Sequence, residues 1–126
     1  MTETMYPPSS RELNAMRKRL APEAHDAFQA LSAKVFADGA LPSKTKRVIA
    51  VAAAHVTQCP YCIKGHTKAA LRAGATPQEL MEAIWVAAEM RAGAAYAHSS
   101  IALTVIGDEE ARQERPPDAP ARGEER

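Results

Sequence analysis

Apolar positions recur at helical spacing through most of this chain, and no run alternates with the period of two that marks a strand. Residues 11–20 and 23–37 read as two helices parted at Ala21-Pro22, because proline disfavours helix in the residue before it. Phe28, Leu31, Val35 and Phe36 fall on one face of the second, and Asp38-Gly39 closes it. Ser43 is expected to cap a third helix that runs to about Thr57. Val48, Ile49, Val51, Ala52 and Val56 cover so much of its circumference that burial on more than one side is expected. Pro60 suits the first position of a helix, which puts Cys59 at the N-cap and Cys62 in the first turn of a helix ending at Gly74. Thr76-Pro77-Gln78-Glu79 reads as a capping box with proline at its first helical position, opening a helix with Leu80, Ile84, Trp85 and Ala88 as its apolar stripe. Gly93 is expected to break that helix before a last one carrying Tyr96, Ile101, Leu103 and Val105. The pattern predicts an all-α fold of about six helices.

The ends differ from the middle. Residues 1–10 are polar and proline-bearing and read as a flexible arm, residues 11–107 as one helical domain, and residues 108–126 as a charged, proline-rich, disordered tail. Composition agrees with close-packed helices: the chain is rich in alanine, and only 5% of its 126 residues are Phe, Trp or Tyr. Short alanine-rich helices bury limited apolar area alone, so association of copies is expected to extend the core. With 16 Lys and Arg against 15 Asp and Glu, bulk charge gives no reason to expect a nucleic-acid partner. No apolar run approaches the roughly 18 residues of a membrane span, and the N-terminus has no signal-peptide core, so a cytoplasmic location is expected.

The candidate chemistry lies in Cys59-Pro60-Tyr61-Cys62, which holds both cysteines of the chain. A disulfide between them closes too short a ring to remove much unfolded-chain entropy, so a reactive or metal-binding pair is favoured over a structural staple. A helix N-terminus stabilises a thiolate, and Cys59, at the cap, should gain most. His66 sits one turn beyond Cys62 on the same helix face, where it can take a proton from the thiol. His55 precedes Cys59 by four residues. Read as ligands, His55, Cys59, Cys62 and His66 form a Cys2His2 set of a kind zinc accepts, although four ligands from one short segment rarely wrap a tetrahedral ion. The competing reading of His55 is an imidazole satisfied by a helix carbonyl. His98 in the small-residue stretch Arg91–His98, and Glu82 and Glu89 on the Trp85 helix, are weaker candidates. Lys44, Lys46 and Arg47 crowd a helix N-terminus, an unfavourable end for positive charge, and are expected to pair with acids.

From about Ala40 to His98 the chain resembles the carboxymuconolactone decarboxylase and alkylhydroperoxidase D-like (AhpD-like) family. The likeness rests on Lys44-Thr45-Lys46, on the run Ala54–Thr67 around the cysteines, on Gly74-Ala75-Thr76, and on Arg91-Ala92-Gly93 followed by His98. The resemblance implies an all-helical fold assembled as a homotrimer or homohexamer. It further implies reduction of small hydroperoxides through a dithiol/disulfide cycle, without a cofactor or metal. Cys62 would attack the peroxide, Cys59 would resolve the sulfenic acid, and an external dithiol or thioredoxin-like reductant would restore the pair. Two positions depart from the family pattern: Arg47 stands where the family places a relay glutamate, and Tyr61 where it places a histidine between the cysteines.

The expected function is therefore a thiol-dependent peroxide reductase using Cys62, Cys59 and His66, with His55 as a partial substitute for the glutamate. The alternatives are a disulfide oxidoreductase with weak peroxidase activity and a non-catalytic Cys/His metal-binding module.

Overall fold

The computed structural model describes residues 5–119. Among them five helices occur and no strand: α1 (Arg11–Leu20), α2 (Pro22–Phe36), α3 (Ser43–Thr57), α4 (Pro60–Arg72) and α5 (Pro77–Gln113). The chain divides into two compact units, one through Glu89 and the other from Met90.

The first unit is built on a hairpin of α3 and α4, with α2 packed against α3 and α1 against α2. Each junction has a local cause. Ser10 caps α1 by accepting the Leu13 N–H. Pro22 takes the first turn of α2, where its missing N–H costs nothing. The N-cap of α3 is Pro42, not Ser43; Ser43 is the first helical residue, and the Asp38 carboxylate accepts its N–H at 2.7 Å. The α3–α4 turn is made by Gln58 in the left-handed region (φ 54°), which swings the chain so that Cys59 opens α4. Gly74, at φ +98°, ends the α4 segment with the backbone conformation that glycine adopts without strain.

The expected capping box forms in full. Thr76 Oγ1 accepts the Glu79 N–H at 3.1 Å, and Glu79 Oε1 accepts the Thr76 N–H at 3.0 Å. Lys44 closes on the same carboxylate at 3.3 Å, so one of the three crowded cations is paired within its own chain.

Val51, Ala70, Ala75 and Leu80 form the core, with Val48 and Ile84 packed against it. Burial of Val51 and Leu80 contributes about 2 kcal/mol each. The buried stripe of α5 is Leu80, Ile84 and Ala87, while Trp85, expected inside, is 66% exposed. Likewise, Ile49 and Val56 of α3 and Phe28, Leu31 and Val35 of α2 remain largely open. Within the described residues α3 is covered where it faces α2, α4 and the start of α5, while Ile49 and Val56 stay open, so the expected burial on several sides is only partly met.

The second unit is helical through Gln113. Gly93 does not break the helix, which is why five helices form rather than about six. Glycine weakens a helix by about 1 kcal/mol but does not forbid it. The helix also continues past Gly107 into the segment expected to be a tail; residues 120–126 of that expectation lie outside the described residues. At the other end, residues 1–4 of the expected arm are likewise outside, while Tyr6 and Pro7 lie against α4. Tyr6 meets Tyr61 edge-on with ring centroids 6.0 Å apart, and Tyr61 Oη donates to the Pro7 carbonyl at 2.8 Å.

Candidate active site

Cys59 occupies the N-cap of α4 and Cys62 its third position, as the Pro60 argument requires. Here a sulfur does the work usually done by a serine or aspartate oxygen: Cys59 Sγ accepts the Cys62 N–H at 3.3 Å. Both thiols are free and partly buried. The hydrogen bond from the Cys62 thiol, then that from the Cys62 N–H, hold the Cys59 thiol below its ordinary pKa. The same thiol–thiol bond, with burial, pushes the Cys62 thiol up. Of the two thiols, Cys59 is the one favoured to ionise first, in agreement with the helix-cap argument.

Cys62 faces differently. With His66 it lines a cavity of about 460 Å³ whose other walls come from α2 (Val35, Phe36) and α3 (Ile49, Ala50, Ala53, Thr57), with Lys46 also on its wall. The volume is within the range of small-molecule sites, and the lining is largely aliphatic. Cys59 is not part of that lining.

His66 is held by stacking. Its ring lies 5.2 Å from the Phe36 ring at a 33° tilt, and the Arg47 guanidinium sits 4.0 Å from the same Phe36 centroid. The His66 Nδ1 atom is buried with no hydrogen-bond partner. Burial first, and the Arg47 charge second, hold the imidazole below the ordinary histidine pKa. Both effects favour the neutral ring over the imidazolium.

The remaining candidates are not among the lining residues of this cavity. His55 Nδ1 meets its own helix carbonyl at Val51, 2.7 Å away, and the residue does not line the cavity. His98 belongs to the second unit, is exposed, and its Nδ1 meets the Ala94 carbonyl at 2.6 Å. Glu82 and Glu89 are exposed on α5. Among the described residues no group of three or more His, Cys, Asp or Glu side chains is placed to hold a metal ion. Among the described residues no helix is long and apolar enough to cross a membrane.

Two site residues escaped sequence reasoning. Phe36 reads as one more apolar position on α2, and Lys46 as one of a basic run. The signal for Phe36 was its place at the very end of α2, where a bulky ring can leave the helix face and reach α3 and α4.

A helical hairpin with a Cys-x-x-Cys pair at its turn and a histidine one turn on defines an all-α thiol protein. Residues 22–104 match the carboxymuconolactone decarboxylase family, and the chain belongs to it. It is 57% identical over 108 residues to "uncharacterized protein 4 in cox locus" of Paracoccus denitrificans, covering 86% of this chain and 96% of that one. A crystal structure of a protein from Methanobacterium thermoautotrophicum superposes with a TM-score of 0.63 at 36% identity, covering 66% of this chain and 93% of the other. That of a carboxymuconolactone decarboxylase family protein from Legionella pneumophila gives a TM-score of 0.58 at 38% identity, covering 60% and 68%.

Proposed function

We propose that this protein is a thiol-dependent reductase of hydroperoxides. The observation that carries the reading is the placement of Cys62 and His66 together on an apolar cavity, with a neutral imidazole whose Nδ1 has no partner. The Cys62 sulfur attacks the terminal oxygen of the hydroperoxide while His66 takes the thiol proton. The O–O bond breaks, the proton is returned to the departing alkoxide, and the products are an alcohol and the Cys62 sulfenic acid. The Cys59 sulfur then attacks the Cys62 sulfur, forming the disulfide, and the hydroxyl leaves as water with the remaining thiol proton. An external dithiol returns the pair to the reduced form by exchange.

Charge and access favour different cysteines. The thiolate is favoured at Cys59, whereas the cavity reaches Cys62. Access governs attack on a substrate that must enter the cavity, and nucleophilicity falls as a thiol's pKa falls, so Cys62 is assigned the attack. A second reading rests on the same charge: the stabilised Cys59 thiolate also suits disulfide exchange with a partner that never enters the cavity.

The open apolar faces of α2 and α3 support assembly as a homotrimer or homohexamer, which would complete the burial a single chain leaves unfinished. The decisive experiment follows hydroperoxide consumption by the reduced protein with thiols counted before and after. Loss of two thiols per chain, well above the rate of a free thiol, supports the peroxidase. Intact thiols alongside steady reduction of a disulfide substrate would select the exchange reading.

A further inference from the structure

The cavity beside Cys62 has an uneven charge distribution. Its walls are aliphatic, and no carboxylate lines it. Lys46 lies on its wall, and Arg47, the next residue, sits over Phe36, another wall residue. Of the three cations crowded at the start of α3, only Lys44 has an acidic partner, Glu79; Lys46 and Arg47 have no ion pair among the described residues. Asp38, the acid next to this region in sequence, is taken up by the Ser43 N–H. The Lys46 Nζ donates to the Ala37 carbonyl at 2.6 Å at the end of α2, which fixes the ammonium and leaves its other two donors open. Arg47 is held over the Phe36 face and is not part of the lining, so Lys46 is the cation on the cavity wall.

The length of the site fits one kind of molecule. From Lys46 to Thr57 the cavity follows α3 for roughly 16 Å, at about 1.5 Å per residue. Thr57 ends α3 only two residues before the cysteine motif begins, so the cation lies toward the end of the groove away from that turn. A ligand that satisfies both ends has an apolar stem, a reactive group at Cys62 and a negative charge at Lys46.

We infer that the substrate of this site is an amphipathic organic anion, a hydroperoxide carried on an aliphatic chain that ends in a carboxylate, and that Lys46 is the residue that selects the charge. The inference rests on the peroxide reading for its reactive group but not for its binding. The chemistry is the one already balanced above, with a hydroxy acid as the product alcohol.

Two measurements separate the layers. In the first, the reduced protein is given a fatty-acid hydroperoxide and the methyl ester of the same molecule, identical except for the charge. The free acid is expected to have a kcat/KM five- to tenfold higher, mostly through KM. The ratio should fall to about one in Lys46→Gln and persist in Lys46→Arg. Because the ratio is taken within each variant, any general loss from disturbing the end of α2 cancels. Equal use of acid and ester by the unaltered protein, or a preference that survives Lys46→Gln, overturns the assignment.

In the second, decanoate and decanol compete with alkylation of Cys62 by a neutral reagent, in a Cys59→Ser background so that one thiol is read. Protection by decanoate at several-fold lower concentration than by decanol, lost in Lys46→Gln, supports the site even if no hydroperoxide is consumed. That outcome would refute the peroxidase while leaving the anion site standing. Equal protection by the two, alongside brisk consumption of the ester, would do the reverse.

Discussion

The Arg47 guanidinium lies over one ring, Phe36, against which His66 also packs, and its charge adds to burial, the larger cause, in holding down the pKa of the histidine that lines the cavity. Burial and the Arg47 charge act in the same direction, and both oppose an imidazolium at His66.

Arg47→Gln should raise the His66 pKa toward the ordinary value of about 6.5, and Arg47→Glu should raise it further. The readout is the imidazole NMR titration, with the acid limb of Cys62 alkylation moving to higher pH in step. The stability sign follows from the same depression. As pH falls from about 6.5 through the lower folded pKa, the unfolded chain binds a proton that the folded chain refuses, and stability declines. A flat stability profile across that window would show that His66 is not desolvated.

The two cysteines should fail in different ways. Cys62→Ser is expected to abolish peroxide turnover, at least a hundredfold. Cys59→Ser should consume one equivalent of peroxide and leave a sulfenic acid that a dimedone probe captures on Cys62. Capture on Cys59 in the Cys62→Ser protein instead would mean that charge, not access, chooses the nucleophile.

Tyr61→Phe removes the hydrogen bond to Pro7 but keeps the ring that meets Tyr6. A loss of about 1 kcal/mol in the local opening of the arm is expected, seen as faster hydrogen exchange in residues near Tyr6 with little change in the global transition. Tyr61→Ala should release the arm to early proteolysis.

Thr76→Ala should lower global stability by about 1 kcal/mol, because α5 then starts without its cap. The Thr76 N–H, then Lys44, hold the Glu79 carboxyl below its ordinary value. Its contribution is present above the unfolded pKa, near 4.3, and fades as pH falls through the lower folded value. Urea midpoints between pH 6 and pH 3 should therefore converge for the native chain and Glu79→Gln.

Light scattering should give a mass of three or six chains. Charges placed at Phe28 and Leu31 together are expected to shift it to the monomer if α2 contributes to the contact, without loss of helix by circular dichroism.

Local rules made much of this molecule readable in advance. Pro60, Thr76 and Glu79 dictate their helix starts through hydrogen bonds that involve only neighbours in sequence, and the structure has them where expected. Gly93 reads as a breaker, yet a lone glycine inside an otherwise strong helix is outvoted by its neighbours. Trp85, Ile49 and Val56 read as inside and are exposed, because periodicity shows which positions are apolar, not whether one chain or several will cover them. At the site, the pair and His66 could be read from spacing along α4. The Phe36–Arg47 stack could not, since it joins α2 to α3 across a turn whose geometry no spacing rule fixes.

The cap of α4 is a sulfur, and a sulfur changes its bonding when the pair is oxidised. A Cys59 thiolate, accepting the Cys62 N–H, is stabilised by the start of the helix, and joining the sulfur to Cys62 removes the site of that charge. The first turn of α4 and the electron pair on the dithiol are then linked quantities. Whatever tightens that turn holds the reduced form, raises the couple's potential and makes the disulfide easier to reduce. On the proposed function, recycling of the pair can be tuned from the start of α4, through Pro60 and Tyr61.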